Sequence, residues 1–285
     1  AGLAGVRRGA GCDAEGGGSG TRDYLLAGAV PPGPRLAVVG SRAARRDRIG
    51  LLDAVIAAAK ARGLALVSGG AVGIDAGAHR AALAAELPQL AVLPCGPDRP
   101  YPPQHVGLFE AIAAAPGSGL LYCHPPGAET CRAMFASRNA VVVGLARAVL
   151  VVEAQARSGS VGTGRLALKK GLPVAAVLGA PGCAELVGSG ARALPCEPAA
   201  FVPALAAWLG CVVGGGADVE PPPPWPENLA WLAAALERAG PRGICLDDLD
   251  RPLARLAELL AAERQGLIVE SPPGRYRRVR QTPGA

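Results

Sequence analysis

The chain has 285 residues, enough for one large domain and a small one. Half of them are hydrophobic but only 4% are aromatic, so the core is built mostly from Ala, Val and Leu, and the abundant Gly and Pro signal neither disorder nor collagen. The net charge of +6 favours a polyanionic partner, no transmembrane span and no secretory leader is read, and the cysteine usage reads as cytosolic.

In chain order, residues 1–20 read as a flexible tail and Asp23–Gly28 as a first, edge strand. Strand and helix signals then alternate. Leu36–Gly40 is a strand, Ile49–Arg62 a helix stopped by Gly63, Ala65–Ser68 a strand and Ile74–Ala85 a helix. Leu90–Leu93, Leu120–Cys123, Ala148–Glu153 and Val174–Leu178 read as further strands, separated by helices over Gln104–Ala115, Arg132–Leu145 and Val161–Lys170. The strands are continuous apolar runs, which marks burial on both faces. Their alternation with helices implies right-handed crossovers and an open, doubly wound, mostly parallel α/β sheet. Ligands in that architecture bind beyond the carboxyl ends of the strands.

This first domain is read over residues 21–211, and the composition then changes. Gly214–Gly216 and Pro221–Pro224 mark a linker over residues 212–226. Residues 227–280 read as a helix (Asn228–Ala239), a short strand (Ile244–Leu246), a small helix near Asp247–Asp250, a longer helix (Leu253–Gln265) and a hairpin from Leu267–Glu270 and Tyr276–Arg280. Three helices followed by a hairpin is the winged-helix pattern. Its second long helix balances Arg255 and Arg264 against Glu258 and Glu263, so it does not read as the main nucleic-acid reader.

Four turns carry the chemistry. Gly40-Ser41-Arg42 follows a strand, where its amides and guanidinium suit an anion, though a tight turn with a solvated arginine has the same sequence. Ser68-Gly69-Gly70-Ala71-Val72-Gly73-Ile74-Asp75 lets a ligand approach the backbone, but lacks both the full dinucleotide fingerprint and the triphosphate-binding Gly-Lys-Ser/Thr ending. Asp75 reads as a cap of the next helix. His79, four residues on, shares its face and reads as orienting the turn rather than forming a catalytic pair. Arg132, Phe135, Arg138 and Asn139 combine guanidinium groups with a ring, the set a single strand wants for phosphates and a stacked base, or else a core phenylalanine with two surface arginines. Ser158-Gly159-Ser160 reads as a hydroxyl-lined phosphate loop at a helix N-terminus. Ser160 has no assignable base and sits in no nucleophile elbow. The eight cysteines form no Cys-x-x-Cys and lack histidines at ligand spacing, so they read as reduced and structural, with no metal and no cofactor.

Together these motifs resemble the bacterial DNA-processing protein A (DprA, or Smf) family across roughly Pro34–Pro195. The phrases are Val38-Val-Gly-Ser-Arg42, Ser68-Gly-Gly-Ala-x-Gly-Ile-Asp-x-x-Ala-His79, Ala91-Val-Leu-x-Cys-Gly-x-Asp-x-x-Tyr-Pro102, Phe135-x-x-Arg-Asn139 and Val149-Leu-Val-Val-Glu-Ala-x-x-Arg-Ser-Gly-Ser160. The resemblance implies an extended Rossmann-like fold followed by a winged helix. It implies a cytoplasmic, dimeric single-stranded DNA-binding protein of natural transformation, which protects incoming strands and loads the RecA recombinase. Carried over onto matching positions, its DNA-contacting residues are Gly40, Ser41, Arg42, Gly69, Gly70, Arg132, Phe135, Arg138, Asn139, Ser158 and Gly159.

The chain departs from the family pattern at several points. Tyr122-Cys123-His124 replaces Ser-Glu before Pro-Pro-Gly, and Ala140 replaces a basic residue after Arg-Asn. Val161-Gly-Thr-Gly164 replaces Leu-Ile-Thr-Ala, and Val177-Leu-Gly179 replaces Val-Pro-Gly. No helical extension is read before Asp23. The alternative class is an enzyme that binds or cleaves a nucleoside monophosphate, like the cytokinin-activating phosphoribohydrolases. That family's Pro-Gly-Gly-x-Gly-Thr is absent, and Ser160-Val161-Gly162-Thr163 only echoes it. With no nucleophile paired to a base, the expectation is no turnover.

Overall fold

The computed structural model describes residues 7–9, 24–129 and 131–214, and further along residues 232, 234–235, 244–245, 268–270 and 275–278. It divides into two units, Ala1–Gly215 and Gly216–Ala285.

Among its described residues the first unit has nine strands: β1 (Arg7–Gly9), β2 (Tyr24–Gly28), β3 (Arg35–Gly40), β4 (Ala65–Ser68), β5 (Gln89–Leu93), β6 (Gly119–Tyr122), β7 (Ala148–Glu153), β8 (Val174–Val177) and β9 (Arg192–Leu194). The helices are α1 (Arg46–Ile49), α2 (Leu52–Lys60), α3 (Ile74–Ala84), α4 (Val106–Ala114), α5 (Arg132–Leu145), α6 (Gly159–Lys169), α7 (Pro181–Gly188) and α8 (Pro198–Gly214). The strands form one sheet in the order β1-β2-β6-β5-β4-β3-β7-β8-β9. From β6 to β9 every pairing is parallel; β2 and β1 add antiparallel partners beyond β6. The Rossmann-like α/β class read from the apolar runs is therefore present.

Several boundaries differ from the sequence reading for identifiable reasons. Residues Arg7–Gly9, inside the stretch read as a tail, pair with β2, so β2 lies between two strands and is not an edge. The single helix read over Ile49–Arg62 is two, because Gly50 caps α1 by donating to Arg46 before α2 begins at Leu52. Beyond Val177, α7, β9 and α8 add to the domain, and α8 runs to Gly214, past the point where the linker was read to start. Over its 17 residues α8 carries no charged side chain, yet no helix among the described residues is long and apolar enough to cross a membrane.

Successive residues of the central strands feed opposite cores, as strand geometry requires. Leu36 and Val38 pack with Leu52, Ile56, Phe201 and Leu205 of α2 and α8. Ala37 and Val39 pack with Val141, Val142 and Val161 of α5 and α6. A third cluster joins Leu93, Leu120 and Tyr122 to Phe109 and Ile112 of α4. Chain order along the sheet reverses between β3 and β7, and this switch point is where a crevice opens at the carboxyl ends. There the β3–β7 register slips between Val39 and Gly40, which pair with Val151 and Glu153. Such a bulge re-aims the chain leaving the strand.

In the second unit, β10 (Ile244–Cys245), β12 (Arg275–Arg278) and β11 (Ile268–Glu270) form an antiparallel sheet, with the hairpin pairing Val269 to Arg277. The helices read over Asp247–Asp250 and Leu253–Gln265, and most of that over Asn228–Ala239, lie outside the described residues.

Candidate functional site

The loop after β3 is stitched to both neighbours. The Ser41 N–H donates to the Glu153 carbonyl (2.7 Å), its own carbonyl accepts from Ile74 N (3.2 Å), and its hydroxyl accepts from Ala43 N (3.2 Å). Gly73 has φ +87°, and a Cβ there would collide with the Ser41 carbonyl oxygen, so the entry to α3 requires glycine. With the loop fixed, Arg42 projects outward and its guanidinium carbon stands 5.1 Å from the Phe135 ring centre.

Behind that loop, α3 and α5 exchange an ion pair. Arg138 Nη1 lies 3.9 Å from Asp75 Oδ2, and both side chains are almost fully buried. The Ala71 N–H lies 3.4 Å from the same carboxylate, and the Gly40 and Gly69 N–H groups also face it. Burial pushes the Asp75 carboxyl above its ordinary range, against the pull of Arg138 and these N–H groups; burial likewise lowers the guanidinium of Arg138, against Asp75. Arg138 stays charged, since guanidinium begins so far above neutrality. The pair crosses directly over Gly69, where a Cβ would collide with Arg138 Nη1. Arg138 Nε is buried without a hydrogen-bond partner.

On the far side of the switch point, α6 starts at Gly159 with Ser158 as its cap, its hydroxyl accepting from Val161 N (3.4 Å). Ser160 Oγ donates to the Gly40 carbonyl (2.8 Å) and Thr163 Oγ1 to that of Gly159 (3.0 Å), so neither hydroxyl is an unattached nucleophile.

Two clefts result, sharing Arg42, Ala43, Ala71 and Arg138 as a common wall. The switch-point cleft, about 310 Å³, runs from Gly40 and Ser41 past Asn139 to Ser158 and Gly159. The aromatic cleft, about 270 Å³, is bounded by Gly69, Val72, Tyr101, Pro103 and Phe135. Tyr101 meets Phe135 edge-to-face at 5.5 Å between ring centres. An α-helix N-terminus facing a guanidinium suits an anion, and the neighbouring rings suit a flat apolar group.

Of the residues singled out from the sequence, Gly40, Ser41, Arg42, Arg138, Asn139, Ser158 and Gly159 line the first cleft, and Gly69 and Phe135 the second. Two stand elsewhere. Gly70, at φ +66°, turns away and its carbonyl accepts from His105 Nδ1 (3.0 Å), while Arg132 is exposed in the first turn of α5, outside both clefts. The amides of Gly40 and Gly69 are also taken by Asp75, an internal anion, rather than left for a ligand. His79 is fully buried on α3, hydrogen-bonded to Gln89 Oε1 of β5 (2.7 Å) and also engaged by the backbone of Ser68, where the Ser68–Asp75 turn begins, so it ties that turn to the sheet. Sequence reasoning missed Tyr101 and Gln155 as lining residues. For Tyr101 the available signal was an aromatic-proline pair just past a buried strand. Cys95, Cys123, Cys131, Cys183, Cys196 and Cys211 carry thiols rather than disulfides, and no cluster of three or more metal-ligating side chains occurs among the described residues.

A Rossmann-like sheet with an anion-suited crevice at its switch point defines the class. The model of the DNA recombination-mediator protein A family matches residues 27–203, and the chain belongs to that family. A Mycobacterium tuberculosis protein named for DNA processing protein DprA is 43% identical over 163 residues, 55% of this chain and 41% of that one. The Streptococcus pneumoniae DNA processing protein DprA is 36% identical over 165 residues, 56% of this chain and 57% of its own. The chain thus spans about half the length of the curated relatives it matches. The X-ray structure of the Streptococcus pneumoniae protein superposes with a TM-score of 0.58 at 31% identity, covering 66% of each chain. A solved structure of DNA processing protein A from Helicobacter pylori, whose single-stranded DNA binding mode has been described, gives 0.57 at 24% identity over 65% of this chain and 87% of the other, a likeness of fold.

Proposed function

We propose that this protein binds single-stranded DNA across the two joined clefts. Backbone phosphate sits in the switch-point cleft, held by Arg42, Asn139 and the Ser158–Gly159 end of α6, and a base lies on Phe135 in the aromatic cleft. The observation that carries this is the Arg42 guanidinium stacked over Phe135 at the wall between an anion-suited cleft and a ring-lined one. Charge for the backbone beside a ring for a base is how single strands are held without sequence preference. Gly40, Ser41, Gly69 and Arg138 form the walls of this site, Gly70 supports it from behind, and Arg132 adds a peripheral charge. Membership of the family extends the reading to protection of incoming strands and loading of the RecA recombinase in natural transformation. The protein acts in the cytoplasm as a homodimer without catalysing turnover, with residues 227–280 as a winged-helix domain of auxiliary role.

The test is oligonucleotide binding as a function of salt. Affinity for a labelled single strand falls steeply with salt, by a logarithmic slope of about −0.7 per phosphate contact. Binding that ignores salt, or a strong preference for duplex, overturns the reading.

A further inference from the structure

The charged side chains lining the switch-point cleft are Arg42 and Arg138, two positive, and Asp75, one negative, which leaves a single positive charge. Asp75 cannot move aside. Burial raises its pKa, and it is held against that by Arg138, by the Ala71 N–H at 3.4 Å and by the Gly40 and Gly69 N–H groups, contacts that favour its ionised form. Its neighbours do not alter the count. His79, one turn along α3, is bonded to Gln89 and kept neutral by burial, at about 4. Glu153 at the end of β7 is buried outside the lining, accepting from Arg45 N at 3.0 Å. The lining from the start of α6, Ser158 to Thr163, is uncharged, and so is Gln155.

A phosphodiester carries one negative charge, and a terminal phosphate carries about 1.5 to 2 near pH 7, its second proton leaving near pH 6. Resting on the single-strand reading above, we infer that Asp75 makes this cleft selective for chain-internal phosphodiesters and against terminal phosphates and free nucleoside monophosphates. The diester balances the single net charge of the lining. Because Asp75 already neutralises Arg138, the second charge of a monoester finds no unpaired cation in the lining, and the hydration it gives up in the cleft is not repaid. Asp75 is in this sense a specificity-determining residue, and the selectivity separates a strand-binding protein from one that binds nucleotides.

The experiment displaces a bound fluorescent oligothymidylate lacking terminal phosphates with thymidine 5′-monophosphate or with its methyl ester, which has the same base and sugar but is a diester. At pH 8 the methyl ester displaces at concentrations about tenfold lower than the monophosphate. At pH 5.5, where the monoester has taken up its second proton, the two converge. In Asp75→Asn, checked for native circular dichroism, they converge already at pH 8. Equal competition at pH 8 in the native protein, a monophosphate that competes better, or no displacement by either compound overturns the inference while leaving oligonucleotide binding intact. Should Asp75→Asn not fold, equal competition by the two compounds at pH 8 in the native protein still overturns the inference. Failure to bind the oligonucleotide at all defeats the single-strand reading instead.

Discussion

The switch-point cleft and the aromatic cleft share two arginines in their common wall, and the two are used in opposite ways. Arg138 is buried, paired with Asp75 and crossed over Gly69, so its charge is spent inside the fold. Arg42 is exposed and stands over the face of Phe135, with no carboxylate paired to it among the described residues, so its charge stays available. A buried charge whose partner is removed destabilises strongly, whereas an exposed one contributes little to stability and acts through whatever binds. Two arginines a few ångströms from one site are thus separable, one by unfolding and the other by affinity.

The largest effect tests the buried half. In Gly69→Ala the new methyl occupies the space of Arg138 Nη1 and stands 2.7 Å from Asp75 Oδ2, so the ion pair is forced apart in the interior. A loss of about 3–5 kcal/mol is expected, read as a lower urea midpoint. A variant as stable as the parent would show that the pair does not brace the two glycine turns.

A second buried group extends the same logic to pH. His79 is enclosed and neutral, and its pKa falls from 6.5 to about 4 in the folded state, chiefly through desolvation. Between these values the unfolded chain binds a proton that the folded chain refuses, so stability is full above pH 6.5 and is lost as pH falls toward 4. The loss is about 3 kcal/mol, and His79→Gln, which cannot titrate, flattens the slope of unfolding free energy between pH 7 and pH 5. An unchanged slope in that variant would assign the acid sensitivity to another group.

The same contrast explains what could be read from the sequence. Ala65–Ser68, Arg132–Leu145 and Ala148–Glu153 have in the fold the bounds read for them, because buried parallel strands leave continuous apolar runs and α5 ends where its periodicity does. The elements after Val177 went unread: Pro181, Pro198 and Pro203 break the pattern, and α8 has no polar face to show a helical period. At the site, Gly40, Arg42 and Phe135 were legible because glycine, arginine and ring chemistry is local to each turn. The Asp75–Arg138 pair was not, since its partners lie on different helices and only the fold brings them within 3.9 Å. Local sequence therefore announced Arg42 and Arg138 without telling which one the interior had claimed.

The smallest effects belong to the exposed half and separate charge from ring. Arg42→Ala removes a free cation and should reduce the magnitude of the salt slope of single-strand binding by about 0.7. Phe135→Ala removes a stacking surface and should weaken binding by about 1–3 kcal/mol with the salt slope unchanged. Arg132→Ala, exposed and outside both clefts, should cost about twofold, as a peripheral charge screened by salt does. Because none of these side chains is buried, all three variants should unfold at the parent's urea midpoint. If Arg132→Ala weakened binding as much as Arg42→Ala, the strand would have to leave the clefts along the first turn of α5, and the site would be wider than the two cavities that define it.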